Sequence, residues 1–115
     1  MVRTPRFPTL TQLQYRLASG STTSENLVRQ SLDAIEASQP TLNAFRVVLT
    51  TTALAEAAEA DRKRAAGQHL PLLGIPIAVK DDVDVAGVPT RFGTDGELPV
   101  ASADAIVAAL ATRDT

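Results

Sequence analysis

Lys80 is the residue of this sequence that is best placed for chemistry, because an apolar run, Leu72–Val79, leads directly into it. Burial at the end of such a run would disfavour the charged ammonium form, and a neutral lysine can serve as a general base. The alternative is a structural lysine that extends into solvent or pairs with Asp81, Asp82 or Asp84. The pattern by itself leaves both interpretations open.

The acidic residues of the same region do not form a calcium loop of the EF-hand type. If Asp82 takes the first position of that loop, Asp84 takes the third and Gly87 the sixth, as the loop requires. The fifth position is then Ala86 and the twelfth is Gly93, so two oxygen ligands are missing, including the bidentate one. We therefore predict no metal site here.

Composition excludes several other kinds of site. The 115 residues contain no cysteine, which excludes disulfides, a thiolate nucleophile and Cys-ligated metals. The one histidine, His69, follows a charged helical pattern and is expected to be a solvated surface residue. A net charge of −2 provides no basic surface for nucleic acid, and the apolar runs are too short to span a membrane. The first residues lack the apolar run of a signal peptide, so we expect a soluble, cytoplasmic protein without a cofactor.

The elements that must position Lys80 begin with an extended arm at residues 1–8, which contain two prolines. Thr9 and Gln12 have the spacing of a helix capping box. Gly20 then stops the apolar repeat, so the first helix should span residues 10–19.

A second helix is predicted from a second capping box, Thr22 with Glu25. It should end at Pro40, because the residue before a proline is disfavoured in the helical conformation. Its apolar stripe is expected to face the core and consists of Leu27, Val28, Leu32 and Ile35.

Two strands and two alanine-rich helices complete the predicted order of elements. Residues 44–49 are β-branched and aromatic and predict a buried strand. A helix over 53–66 should follow, capped by Thr51 or Thr52 and ended by Gly67.

Further along, residues 75–79 predict a second strand, which Pro76 would confine to a sheet edge. Glycines and prolines make most of 81–99 a loop, and 104–111 predict a last helix.

The segment around Lys80 resembles the amidase signature family. Residues Leu72–Asp81 (LLGIPIAVKD), followed by Val83–Gly87, are similar to the G-(I/V)-P-(I/V)-x-(V/I)-K-D segment of that family. Leu42–Phe45 and Thr90–Gly93 extend the resemblance, which covers about residues 9–111.

The resemblance implies an α/β fold, of which this chain would supply the N-terminal helices and the first strands. The chain would consist of the arm, 1–8, and the N-terminal part of an amidase-signature domain, 9–115. The implied activity is hydrolysis of carbon–nitrogen amide bonds by a Ser–cis-Ser–Lys triad without a cofactor. Lys80 matches the family's base, which takes a proton relayed from the nucleophilic serine through a bridging serine, while a glycine-rich loop forms the oxyanion hole.

The two serines of that triad have no match here. In the family they lie in a glycine- and serine-rich segment downstream of the lysine. This sequence has serines at positions 19, 21, 24, 31, 38 and 102 and no two adjacent glycines. We therefore expect a truncated amidase that is inactive alone and would bind a small-molecule amide only after completion of its site.

Two alternatives stay open. The chain could be a non-catalytic remnant or binding module, in which an oligomer or a partner chain covers an exposed sheet. It could also be a fragment of the tRNA-dependent amidotransferase subunit that works on a misacylated tRNA, whose lysine segment is similar. Val85–Thr90, however, resembles stand-alone amidases more closely than it resembles that subunit.

Overall fold

The computed structural model describes residues 7–94 and 98–102 of the 115-residue chain. Three helices lie in this part: α1 (Leu10–Ser19), α2 (Ser24–Leu42) and α3 (Thr50–Ala65). The chain divides into two compact units, Met1–Pro76 and Ile77–Thr115. The predicted helix at 104–111 and most of the predicted arm at 1–8 lie outside the described residues.

The boundaries of α1 are as the sequence predicts. Thr9 Oγ1 accepts a hydrogen bond from Gln12 N–H at 3.1 Å, and Gln12 Oε1 accepts one from Thr9 N–H at 2.8 Å. Gly20 ends the helix in the left-handed conformation, with φ 77°. Local side-chain chemistry therefore sets both ends of this helix.

The predicted start of α2 is wrong by one residue. Thr23, not Thr22, is the N-cap, and its hydroxyl accepts a hydrogen bond from Asn26 N–H at 3.1 Å. The predicted apolar stripe is confirmed at Leu27 and Val28, which are buried, whereas Leu32 and Ile35 are half-buried. Helix α2 packs on α3.

The predicted end of α2 at Pro40 is also wrong, because the helix continues to Leu42. Pro40 cannot donate a main-chain hydrogen bond, but it lies in the last turn, which is closed by Asn43 N–H donating to Gln39 O at 2.9 Å. Asn43 adopts the left-handed conformation, with φ 46°, which asparagine tolerates better than most residues.

Residues 44–49 do not form the predicted strand. Gln39 uses its side-chain amide to bind both main-chain groups of Phe45: Nε2 donates to Phe45 O at 2.7 Å, and Oε1 accepts from Phe45 N–H at 3.1 Å. These groups would otherwise be available to a neighbouring strand. The segment is instead an irregular link between α2 and α3.

The third helix starts three residues earlier than the sequence pattern predicts. Its N-cap is Leu49, without a side-chain cap, so Thr51 and Thr52 lie inside the helix rather than capping it. The C-cap is Ala66, and Gly67 follows it with φ 94°. The helix buries Ala57.

The predicted strand at 75–79 is absent from the described structure. Leu73 N–H donates to Leu70 O, and Ile75 N–H donates to Leu72 O, both at 3.2 Å, so the chain enters this region through consecutive turns. The loop predicted for 81–99 is confirmed where it is described, and a single antiparallel bridge joins Pro89 to Val100. The helical part of the predicted α/β fold is therefore present, and its first strands are not.

Candidate functional site

Lys80 lies on the surface of the second unit. Its side chain is 85% exposed, and its Nζ lies 3.8 Å from Oδ2 of Asp82. The burial that an apolar strand would have provided is missing because the segment before Lys80 forms no strand. In the described structure the geometry is that of a solvated lysine beside a carboxylate.

In the first unit, the helices hold the chain that leads toward Lys80 by three side-chain hydrogen bonds to main-chain carbonyl groups. Gln14 Nε2 donates to Pro71 O at 2.7 Å. Arg64 Nη2 donates to Leu73 O, and Ser24 Oγ donates to Gly74 O, both at 2.8 Å.

Asp61 strengthens the same cluster by capping α2 from a different helix. Its Oδ1 accepts from Ser24 N–H at 2.8 Å, and its Oδ2 accepts from Glu25 N–H at 3.1 Å. Asp61 lies in a charged stretch of α3, and such a stretch is usually a solvated face. No local signal could have found this role, because the residues it binds lie 36 and 37 positions earlier in the chain.

In the second unit, three hydrogen bonds from main-chain N–H groups hold Lys80 and Asp81. Lys80 O accepts from Val83 N–H at 3.2 Å, and Asp81 O accepts from Phe92 N–H at 2.9 Å. Oδ1 of Asp81 also accepts from Arg91 N–H at 3.2 Å.

Asp84 is held by a threonine rather than placed for a metal. Its Oδ1 accepts from the hydroxyl of Thr90 at 2.6 Å, and Thr90 is buried. Across residues 7–94 and 98–102, no three His, Cys, Asp or Glu side chains are grouped so that they could hold a metal ion. The predicted surface position of His69 is confirmed.

Within the second unit, Asp82 is a polar partner of Lys80. Ser24 is buried and serves Gly74, while Ser19 and Ser21 lie 3.2 Å apart, Oγ to Oγ, at the end of α1. Ser38 donates to Ile35 O within α2. These serines have structural roles. No helix of the described part has both the length and the hydrophobicity to cross a membrane.

Comparison with known sequences agrees with the motif around Lys80. The Amidase family pattern matches residues 26–113. A protein of Mycobacterium tuberculosis named "Putative amidase AmiA2" is 70% identical over 99 residues, which are 86% of this chain and 20% of that protein. A glutamyl-tRNA(Gln) amidotransferase subunit of Prochlorococcus marinus is 42% identical over 83 residues, 71% of this chain and 17% of that protein.

Comparison with solved structures also finds an amidase among the similar proteins. The native peptide amidase of Stenotrophomonas maltophilia matches 90% of this chain and 22% of its own, with TM-score 0.76 and 33% identity. A structure described as a vestigial protein complex that reveals the origins of an s-triazine catabolic enzyme matches 92% of this chain and 24% of its own, with TM-score 0.82 and 34% identity. The chain thus spans about one fifth of the length of the curated relatives it matches. The family match covers most of the sequence, and the chain belongs to the amidase family.

Proposed function

We propose that this chain is the lysine-bearing N-terminal part of an enzyme that hydrolyses carbon–nitrogen amide bonds, with Lys80 as its general base. The observation that carries the proposal is the amidase match over residues 26–113, which includes the whole Leu72–Asp81 segment. The 70% identity to "Putative amidase AmiA2" over 99 residues supports it.

The proposed reaction proceeds by acyl transfer. A neutral Lys80 accepts a proton through a bridging serine, while the nucleophilic serine oxygen bonds to the amide carbon. The carbon–nitrogen bond then breaks, and the proton passes to the leaving amine. Water hydrolyses the resulting ester and regenerates the serine.

The exposure of Lys80 bears on where this reaction can occur. The side chain of Lys80 is 85% exposed, so water rather than protein surrounds most of it in the described structure. We propose that residues outside these 115 supply the two serines and the oxyanion hole and also cover Lys80. The 115-residue chain alone is therefore expected to hydrolyse no amide.

The test is a chimeric enzyme in which this chain replaces the aligned 99-residue segment of AmiA2. Hydrolysis is followed by ammonia release from primary amides and by coloured-amine release from anilides. Lys80→Ala should lower kcat by about 10²–10⁴-fold, as expected for the loss of a general base. Lys63→Ala, at the other lysine of the sequence, is exposed on α3 and should leave kcat unchanged.

Two results would contradict the proposal. One is a folded chimera that hydrolyses none of these amides, which would favour the non-catalytic binding module. The other is a Lys80→Ala chimera that is as active as its parent. In the 115-residue chain, Lys80→Ala should change the free energy of unfolding by no more than about 0.5 kcal/mol, because the side chain is exposed.

The amidotransferase alternative has less sequence support. Its relatives are 42% and 45% identical over 83 residues, against 70% over 99 residues for AmiA2. The higher identity over the longer stretch favours a stand-alone amidase.

A further inference from the structure

We propose that Asp81 is a positioning residue for Lys80, and that its carboxylate and its carbonyl oxygen accept hydrogen bonds that fix the main chain next to Lys80 against Arg91 and Phe92. This inference rests on the proposed function, in which Lys80 is the base. It concerns only contacts within the second unit.

The geometry that supports it is a set of three hydrogen bonds on consecutive residues. Phe92 N–H donates to Asp81 O at 2.9 Å, and Arg91 N–H donates to Asp81 Oδ1 at 3.2 Å. Val83 N–H donates to Lys80 O at 3.2 Å. The peptide groups on both sides of Asp81 are therefore held. The one between Lys80 and Asp81 adjoins the Cα of Lys80 and so helps to set the direction in which the Lys80 side chain leaves the backbone.

The conformation of Phe92 is a second, independent observation. This residue has φ 51°, in the left-handed region that a bulky side chain adopts at an energetic cost, although the residue is 64% exposed. Strained backbone of this kind persists only where surrounding contacts impose it, and it concentrates at functional sites. The bond from Phe92 N–H to Asp81 O is one such contact.

The donor segment is itself anchored on its other side. Thr90, which is 7% exposed, donates its hydroxyl to Asp84 Oδ1 at 2.6 Å. Residues 90–92 are thus attached to the segment after Lys80 at two places, through Asp84 and through Asp81. They form a support that holds Asp81, the residue that follows Lys80.

Positioning matters here because the lysine side chain is long and receives little packing from the described residues. A general base must lie within hydrogen-bond distance of the proton that it takes, and a displacement of about 1 Å can lower the rate about 100-fold. Since the Lys80 side chain is 85% exposed, its starting direction depends on its main chain.

The roles of position and charge can be separated by comparing two adjacent carboxylates. Asp82 has the carboxylate oxygen that lies 3.8 Å from Lys80 Nζ. Asp81 is the one that receives the Arg91 N–H. A variant of Asp82 therefore removes the carboxylate beside the ammonium group, and a variant of Asp81 removes the side-chain acceptor of the Arg91 N–H.

The experiment uses the AmiA2 chimera described above. Asp81→Ala should lower kcat about 10- to 100-fold with KM and the pH profile of kcat/KM unchanged. Asp81→Asn retains an oxygen acceptor and should restore kcat to within about threefold of the parent. Asp82→Asn leaves the Asp81 contacts in place and should lower kcat less than Asp81→Ala does. Asp33→Ala removes an exposed carboxylate from α2 and should change none of these quantities.

Amide hydrogen exchange in the 115-residue chain provides a readout that needs no activity. Arg91 N–H and Phe92 N–H should exchange slowly in the parent chain and in Asp81→Asn, and Arg91 N–H should lose its protection in Asp81→Ala. Unprotected Arg91 and Phe92 amides in the parent chain would overturn the inference even if Asp81→Ala failed to fold.

The kinetic outcomes also separate this inference from the proposed function. If Lys80→Ala is inactive while Asp81→Ala retains the parent kcat, the positioning role is wrong and the proposed function stands. If Asp81→Asn is as impaired as Asp81→Ala, the carboxylate acts by its charge, and the positioning role is again wrong. If Lys80→Ala is fully active, the proposed function itself fails.

Discussion

Gly74 is the residue at which the segment after α3 packs closely against α2. Its φ is 86°, and a Cβ built on it would lie 3.1 Å from Cβ and 3.3 Å from Oγ of Ser24. Both a left-handed backbone and close packing therefore require glycine at this position.

We predict that Gly74→Ala lowers the free energy of unfolding by about 2–4 kcal/mol, because the backbone strain and the steric overlap add. Gly67→Ala is the matched control, since Gly67 has φ 94° and a Cβ added there would meet nothing within 4 Å. It should cost only the backbone part, about 1–2 kcal/mol. Urea unfolding of both variants measures the difference, and equal losses would contradict the role of the Ser24 contact.

The structure perturbs the ionisation of Glu59. A hydrogen bond from Arg62, the positive charge of Arg62 and, to a smaller degree, the charge of Lys63 hold the pKa of Glu59 below its ordinary value. A carboxyl group whose pKa is lowered by folding stabilises the folded state above its unfolded pKa. That stabilisation is lost as the pH falls through the folded pKa.

We predict that Arg62→Gln returns the pKa of Glu59 toward its ordinary value, which a side-chain NMR titration into acid would show. Lys63→Gln should have a smaller effect, because Lys63 acts on Glu59 through charge alone. A larger effect of Lys63→Gln would contradict this assignment.

At the scale of elements, α2 and α3 are joined through the capping of one helix by the other. Asp61 of α3 binds the main-chain N–H groups of Ser24 and Glu25 at the start of α2, and Ser24 in turn binds Gly74 O. A carboxylate at a helix N-terminus also interacts favourably with the helix dipole.

We predict that Asp61→Ala lowers the free energy of unfolding by about 1–2 kcal/mol, as for the loss of a helix cap. Glu56→Ala removes an exposed carboxylate from the same helix and should change stability by no more than about 0.5 kcal/mol. Hydrogen exchange should also become faster at Ser24 N–H in Asp61→Ala. A cost that is the same for both variants would show that the interhelical cap contributes little.

At the scale of the whole molecule, the described residues expose much apolar surface and bury few apolar side chains. The buried apolar residues of this part are Leu17, Leu27, Val28 and Ala57. Large apolar side chains such as Leu42, Leu72 and Ile77 are more than half exposed. Exposed apolar surface of this kind is typical of an interaction site.

We predict that the 115-residue chain binds the dye ANS, because large apolar side chains of its described part are exposed. The AmiA2 chimera should bind less dye per molecule, because we expect the remaining chain to cover this surface. A 115-residue chain that binds no dye would contradict the prediction and favour an independent small domain.

The sequence by itself determined the features that depend on neighbours within a few positions. The capping box of Thr9 and Gln12, the left-handed Gly20 and the apolar stripe of α2 all follow from contacts within one or two helical turns. The motif that ends at Lys80 identified the family because it is a continuous stretch of sequence.

Tertiary structure decided whatever depends on groups far apart in the chain. Strand formation needs a partner strand, and residues 44–49 have none in the described structure, where Gln39 binds Phe45 instead. Asp61 reaches α2 across more than 30 residues of sequence. The exposure of Lys80 was decided in the same way, because a side chain becomes buried only when other parts of a chain pack over it.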